Sequence, residues 1–188
     1  MTIVIDPGHG GNDPGACGGT VKEKDLVLKQ GLMLGHFLRA LGYKTKLTRD
    51  KDIRVALVTR PKCVSEGDLF VSLHINGAVS KAAAGVSVWY HGDDSSGKEL
   101  ATYILDNLID SGGFPRYGPG VIADTTRYKI GFYVLRYAQK RKAKAAALVE
   151  TGFISNKRDR EILMNDKERN LTAMAIAEGI HKYLQPRY

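Results

Sequence analysis

Three chemistry-bearing side chains occupy the same kind of position in this chain: His9, His74 and Glu150 each close a short apolar run. His9 follows Ile3-Val4-Ile5-Asp6-Pro7 and lies within Gly8-His9-Gly10-Gly11. Flanking glycines let the backbone turn sharply and leave an imidazole uncovered. His74 follows Phe70-Val71-Ser72-Leu73, and Glu150 follows Ala147-Leu148-Val149. A further acid, Glu23, opens a helical segment just after a glycine-rich loop. Two imidazoles, a carboxylate and a water make the open site of a catalytic zinc. Such an ion acidifies the water and polarises a carbonyl, while a carboxylate outside the coordination sphere moves the proton. Glu150 is the candidate for that last task, with Asp6 and Asn76 as groups that orient ligands or substrate. Taken singly, each residue has an ordinary reading. Glu23 would favour the dipole of its helix, and Glu150 would be a paired buried acid. The equivalent positions of His9, His74 and Glu150 favour the joint reading. His36 and His181 fall inside helical segments and His91 in a polar loop, and they read as structural or surface residues.

Positioning these groups requires strands that end on one edge. Strand-like runs occur at 2–5, 43–48, 69–73, 86–90 and 146–149, with helix-like segments at 24–41, 52–65, 96–111, 155–163 and 166–184. In the first helix Leu34, Phe37, Leu38 and Leu41 share one face, and Gly42 follows where a helix commonly stops. Strands alternating with helices predict a single-domain α/β fold with a mainly parallel sheet and helices on both faces. Such folds bind ligands at the carboxyl ends of their strands. The turn-rich stretch from Ser111 to Gly120 reads as a surface loop near the site.

Size and composition narrow the function further. With 188 residues there is room for one domain and a substantial core. No apolar run reaches membrane-spanning length, and no basic segment leads into an apolar one at the N-terminus, so neither membrane insertion nor a signal peptide is expected. Two cysteines, Cys17 and Cys63, are too few for a disulfide scaffold and read as free thiols. A net charge of +8 favours a polyanionic partner. Residues 125–149 contain no Asp or Glu, yet hold Arg127, Lys129, Arg136, Lys140, Arg141, Lys142 and Lys144. That segment is either a solvated face or an electrostatic landing strip for a polyanion such as nucleic acid, an anionic envelope polymer or an acidic membrane surface; if the resemblance below holds, the partner would be anionic wall polymers.

The motifs in order resemble a known family. Ile5-Asp6-Pro7-Gly8-His9-Gly10-Gly11, Asp13-Pro14-Gly15-Ala16 and Glu23-Lys24-Asp25 are similar to the opening of zinc-dependent N-acetylmuramoyl-L-alanine amidases of the amidase-3 type. Leu47-Thr48-Arg49, Leu57-x-x-Arg60, Asp68 through Asn76, and Val149-Glu150-Thr151-Gly152-Phe153-Ile154-Ser155-Asn156 continue the pattern across almost the whole chain. The resemblance implies a six-stranded, zinc-peptidase-like (phosphorylase/hydrolase-like) fold. It also implies one Zn2+ held by His9, Glu23 and His74, with Glu150 as the catalytic glutamate. Arg60 joins Asp6 and Asn76 as a candidate behind the ligands or against substrate. The implied reaction is hydrolysis of the amide between N-acetylmuramic acid and L-alanine in peptidoglycan. Some relatives carry an extra helix that blocks the zinc; the short stretch from Tyr90 to Lys98 predicts an open site here. The catalytic fold is expected to use residues 1–188, with no wall-binding module. This suits a phage lysin released through a separate pore, or the catalytic part of a larger exported hydrolase. Rival readings are a zinc peptidase on a related fold, a catalytically dead wall-binding module, and a basic nucleic-acid-binding protein. The last lacks any helix-turn-helix, zinc-finger or RNA-recognition signature, so no nucleic-acid partner is expected.

Overall fold

The computed structural model describes residues 1–186. In chain order the elements are β1 (Ile3–Pro7), β2 (Cys17–Gly18), β3 (Val21–Lys22), α1 (Glu23–Ala40), β4 (Thr45–Leu47), β5 (Leu69–Asn76), β6 (Val86–Tyr90), α2 (Ser95–Asp110), β7 (Arg116–Ala123), α3 (Tyr133–Lys140), β8 (Ala145–Phe153), α4 (Lys157–Met164) and α5 (Asp166–Leu184). Six strands form one sheet in the order β4-β1-β5-β8-β6-β7, and β2 and β3 make a separate small hairpin. Within the main sheet only the β6–β8 pair is antiparallel.

Period-two alternation sorts the side chains between two unequal faces. Ile3, Ile5, Leu69, Val71, Leu73, Ala147 and Val149 point into a large cluster built with α1, α2 and α5. Leu34 and Leu38 of α1 are fully buried there, and each such side chain contributes about 1.5–3 kcal/mol. Val4, Phe70, Ala146 and Leu148 point the other way, into a smaller cluster closed by α3 with Val134, Leu135 and Ala138. Continuing the same alternation towards the carboxyl ends puts Asp6, Ser72, His74 and Glu150 on this thinly covered face. The strands thus start apolar on both faces and turn polar on one, beyond the reach of α3.

Three expectations are corrected. Residues 52–65 form no α-helix; they are a loop ending in a 3-10 turn at Arg60–Cys63. Pro61 lacks the N–H that a helix interior needs. The Asp52 side chain accepts the Gly11 N–H and pairs with Lys24, and Arg60 turns inward. The stretch from Ser111 to Gly120 is no loop beside the site: Phe114 is buried, and Arg116–Ala123 is the edge strand beside β6. Finally, β5 and β8 run on past His74 and Glu150. These two residues are register partners within the ladder, with Ser87 of β6 facing Glu150 on its other side.

Candidate metal centre

His9 leaves the sheet through a turn held from several sides. The Gly8 N–H bonds back to the Leu73 carbonyl, and Gly10 and Asp13 exchange backbone bonds at 2.9 and 3.2 Å. Two buried arginines then collect the carbonyls of the strand exit. Arg49 donates to Pro7, Gly8 and Lys24, and Arg60 to Pro7 and His9. Arg60 also pairs with Asp6 at 2.9 Å. Asp6, fully buried, accepts from the Thr48 and Ser72 hydroxyls as well. Held this way, His9 adopts a φ of 59°, in the left-handed region that non-glycine residues rarely occupy.

Three donor atoms converge on this turn. Glu23, the first residue of α1 and only 3% exposed, brings Oε1 to 3.1 Å from His9 Nε2 and to 3.1 Å from His74 Nδ1. The same oxygen accepts the Ile75 N–H at 2.9 Å, and Oε2 accepts the Ala16 N–H at 2.7 Å. Asp13 meets His9 Nδ1 at 2.9 Å, which leaves the lone pair of Nε2 free on the Glu23 side. The two imidazole rings stand edge to face, 5.0 Å apart. Backbone without side chains permits this closeness: a Cβ on Gly8 would fall 2.4 Å from His74 Cε1, and one on Gly15 2.5 Å from Glu23 Oε2.

This trio could hold a metal ion. One ligand atom from each of His9, Glu23 and His74 lies within 4.8 Å of the others. Atoms bound tetrahedrally to one zinc at about 2.0–2.2 Å sit about 3.3–3.5 Å apart, and the two His–Glu separations of 3.1 Å come close to that edge. Two imidazole nitrogens and a carboxylate oxygen also match the donor set of open zinc sites. Burial favours a neutral Glu23, yet its contacts with His74 and His9 hold the carboxyl far below the usual range. Burial likewise favours neutral His9, but Glu23 and Asp13 outweigh it and raise the pKa. The site is therefore strongly attractive to positive charge.

Glu150 stands beside His74 in the ladder and, with His9 and His74, lines a cavity of about 440 Å³. Its Oε2 is sealed from solvent and has no hydrogen-bond partner. Burial raises its pKa well above the ordinary carboxylate value; the Glu23 charge adds to this, and Arg127 opposes it. His9, Asp13, Arg60, His74 and Glu150 line the polar part of the cavity, and Val55, Leu57, Phe132, Val134 and Leu148 are among its apolar walls. The trio remains reachable, with the His9 and His74 side chains 24% and 21% exposed. Residues 90–98 make a turn into α2 capped by Asp94, consistent with an open site.

The remaining sequence candidates fall behind or beside this centre. Asp6 supports the Arg60 tie and has no exposed surface. Asn76 lies where the β5–β8 register shifts; its amide nitrogen is buried without a partner, and it lines no part of the cavity. His91 bonds the buried Asp124, and His181 meets the Tyr43 hydroxyl. Cys17 and Cys63 are free. Sequence reasoning missed the wall of residues 54–57, which it had folded into a helix, and the wall of residues 132–134, whose apolar side chains were masked by the surrounding basic run.

The amidase-3 profile, described as N-acetylmuramoyl-L-alanine amidase, matches residues 3–182. The germination-specific N-acetylmuramoyl-L-alanine amidase of Bacillus subtilis is 30% identical over 197 residues, covering 96% of this chain and 78% of the relative. The probable cell wall amidase LytH of Staphylococcus aureus is 33% identical over 97% of this chain, which spans only 58% of LytH. Among solved structures, the N-acetylmuramoyl-L-alanine amidase AmiC2 of Nostoc punctiforme superposes with a TM-score of 0.85 at 34% identity, covering 99% of this chain and 98% of that one.

Proposed function

This chain belongs to the amidase-3 family of N-acetylmuramoyl-L-alanine amidases, and from that premise we propose that it cuts peptidoglycan with one zinc ion held by His9, Glu23 and His74. The bond broken is the amide between the lactyl group of N-acetylmuramic acid and L-alanine. The observation that carries this reading is the juxtaposition, on one cavity, of three convergent donors and Glu150, whose Oε2 is buried with no hydrogen-bond partner among the described residues. When bound, the ion supplies Lewis acidity: it polarises the amide carbonyl and eases loss of a proton from water.

The protein's own groups do the rest. Asp13 and the backbone amides of Ala16 and Ile75 fix the orientation of His9 and Glu23. Ionised Glu150 takes the proton from the attacking water and returns it to the departing alanine nitrogen. Its raised pKa suits both halves of that task, because the group is a better base when ionised and holds the proton longer once it has it. The apolar walls around residues 55–57 and 132–134 exclude bulk water and accept the methyl groups of the lactyl and alanyl units.

A basic outer face adds attraction to anionic wall polymers. On α3, Tyr133 and Tyr137 stack at 4.1 Å, with Arg136 and Lys140 over the Tyr137 ring at 5.4 and 5.0 Å. Lys142 and Arg141 instead tie the end of α3 to Glu66 and Val64. Wall binding through such a face weakens steeply with salt.

The test is digestion of purified peptidoglycan with and without a chelator, followed by mass spectrometry of the new chain ends. New L-alanine amino termini are expected, lost on chelation and restored by zinc. Cleavage that survives metal removal would overturn the zinc assignment, and release of other peptide ends would favour a peptidase on this fold.

A further inference from the structure

Of the arginines around the cavity, one has no structural duty. Arg49 and Arg60 spend their guanidinium groups on backbone carbonyls and Asp6. Arg54 is exposed, lines the cavity, and its guanidinium makes no hydrogen bond or ion pair among the described residues. Its backbone, by contrast, is firmly placed. Gly10 and Gly11 leave room for residues 53 and 54 to pack against them: a Cβ at Gly10 would lie 2.3 Å from the Ile53 carbonyl oxygen, and one at Gly11 2.7 Å from the Arg54 nitrogen. Asp52 bonds the Gly11 N–H at 2.7 Å and Lys24 at 2.6 Å, and Lys24 bonds the Gly11 carbonyl at 2.8 Å. The chain therefore anchors the Arg54 backbone against Gly11, two residues after His9, and leaves its charged head unused.

We infer that Arg54 is a specificity-determining residue that reads a free carboxylate on the peptide part of the substrate. This rests on the amidase reading. In the proposed substrate the glycan is neutral near the cut, because the lactyl carboxyl is tied up in the scissile amide. An anion within reach of the cavity must then belong to the peptide. The nearest is the α-carboxyl of the glutamate that follows alanine, which is linked onward through its side chain and carries either a free acid or an amide. A guanidinium fork binds a carboxylate through paired hydrogen bonds and gains little from a carboxamide.

The experiment compares two soluble muramoyl peptides, identical except for a free or amidated glutamate α-carboxyl, with zinc-loaded protein. Wild type should favour the free acid by about tenfold or more in kcat/KM, mostly through KM, because the contact is made equally in the ground and transition states. In R54Q the preference should fall towards unity, the free-acid rate dropping far more than the amidated one, and R54K should restore part of it. R158Q, which removes the same charge from a helix that lines no part of this cavity, should keep the wild-type ratio. Equal rates on both compounds in wild type, an unchanged ratio in R54Q, or an equal loss on both compounds would each overturn the inference. Calorimetric binding of the two compounds to E150Q repeats the comparison without turnover. If wild type cuts neither compound yet binds the free acid more tightly through Arg54, the amidase reading fails and the carboxylate site stands.

Discussion

The two sides of the cavity are built on opposite terms. On the side of His9, Glu23 and His74, nearly every polar atom is engaged. Glu23 accepts two backbone N–H groups while facing both imidazoles, Asp13 holds His9, and Arg49 and Arg60 bind the carbonyls of residues 7–9. Beside them, Glu150 sits in the ladder between His74 and Ser87 with one oxygen buried and, among the described residues, unpartnered. A buried polar atom left without a partner costs about 1–3 kcal/mol. The contrast separates two kinds of demand. Atoms that must hold a fixed geometry are over-determined by their surroundings. The atom that, in the proposed mechanism, gains and loses a proton is left uncommitted, at a cost to stability.

The largest effect should come from the uncommitted side. Glu150→Gln keeps the shape and removes the base, so turnover of peptidoglycan should fall by roughly 10²–10⁴ with zinc content of the purified protein unchanged. Loss of zinc along with activity would show that Glu150 belongs to the ligand side after all, and the contrast would be gone. Next is Arg60→Met, on the committed side. It strands the fully buried Asp6 and frees the carbonyls of Pro7 and His9. Breaking a buried ion pair from one end costs about 3–5 kcal/mol, and at this chain length each kcal/mol moves Tm by about 2–4 °C. Thermal melts should therefore show a large drop, with weakened zinc binding. A melt within a degree or two of wild type would mean that Arg60 serves the substrate rather than the turn. A smaller loss is expected from Asp13→Ala, which leaves the ligands in place but frees the His9 ring. Zinc affinity should fall about 10–100-fold in a competition titration with a chromophoric chelator.

How much of this was legible beforehand follows the same division. The strands and the residues at their ends could be read, because β-branched runs punctuated by Gly and Pro are local signals. His9, His74 and Glu150 stood out through their shared position at the close of such runs. Glu23 was legible as the opening of α1. The supports were legible only in part: Asp6 was marked as a group behind the ligands and Arg60 entered through the family resemblance, but the ties they make did not show. Arg49 and Arg60 act on carbonyls more than forty residues away along the chain, and no local pattern marks a guanidinium that will turn inward. Residues 52–65 read as a helix because nothing nearby reveals that Asp52 will bond to Gly11 instead of capping its own segment. The edge strand β7 was hidden by Pro115, Gly118, Pro119 and Gly120, which an edge position tolerates. Local order was visible, whereas long-range polar ties were not.

The smallest effect has the opposite sign from the others and tests the contrast most directly. Burial, reinforced by the Glu23 charge and opposed by Arg127, raises the Glu150 pKa in the folded protein well above its ordinary value of 4.5. A raised pKa means the fold binds this proton more tightly than the unfolded chain does. The stabilisation is present at low pH and is lost as pH rises through the folded value. Glutamine carries no such charge at any pH. E150Q and wild type, compared free of metal, should melt together in acid. They should diverge as pH rises from 4.5 to the raised pKa and run parallel above it, with the variant the more stable. A difference in Tm that stays flat across that interval would show that Glu150 is partnered in solution, and the division between a committed and an uncommitted side would not hold.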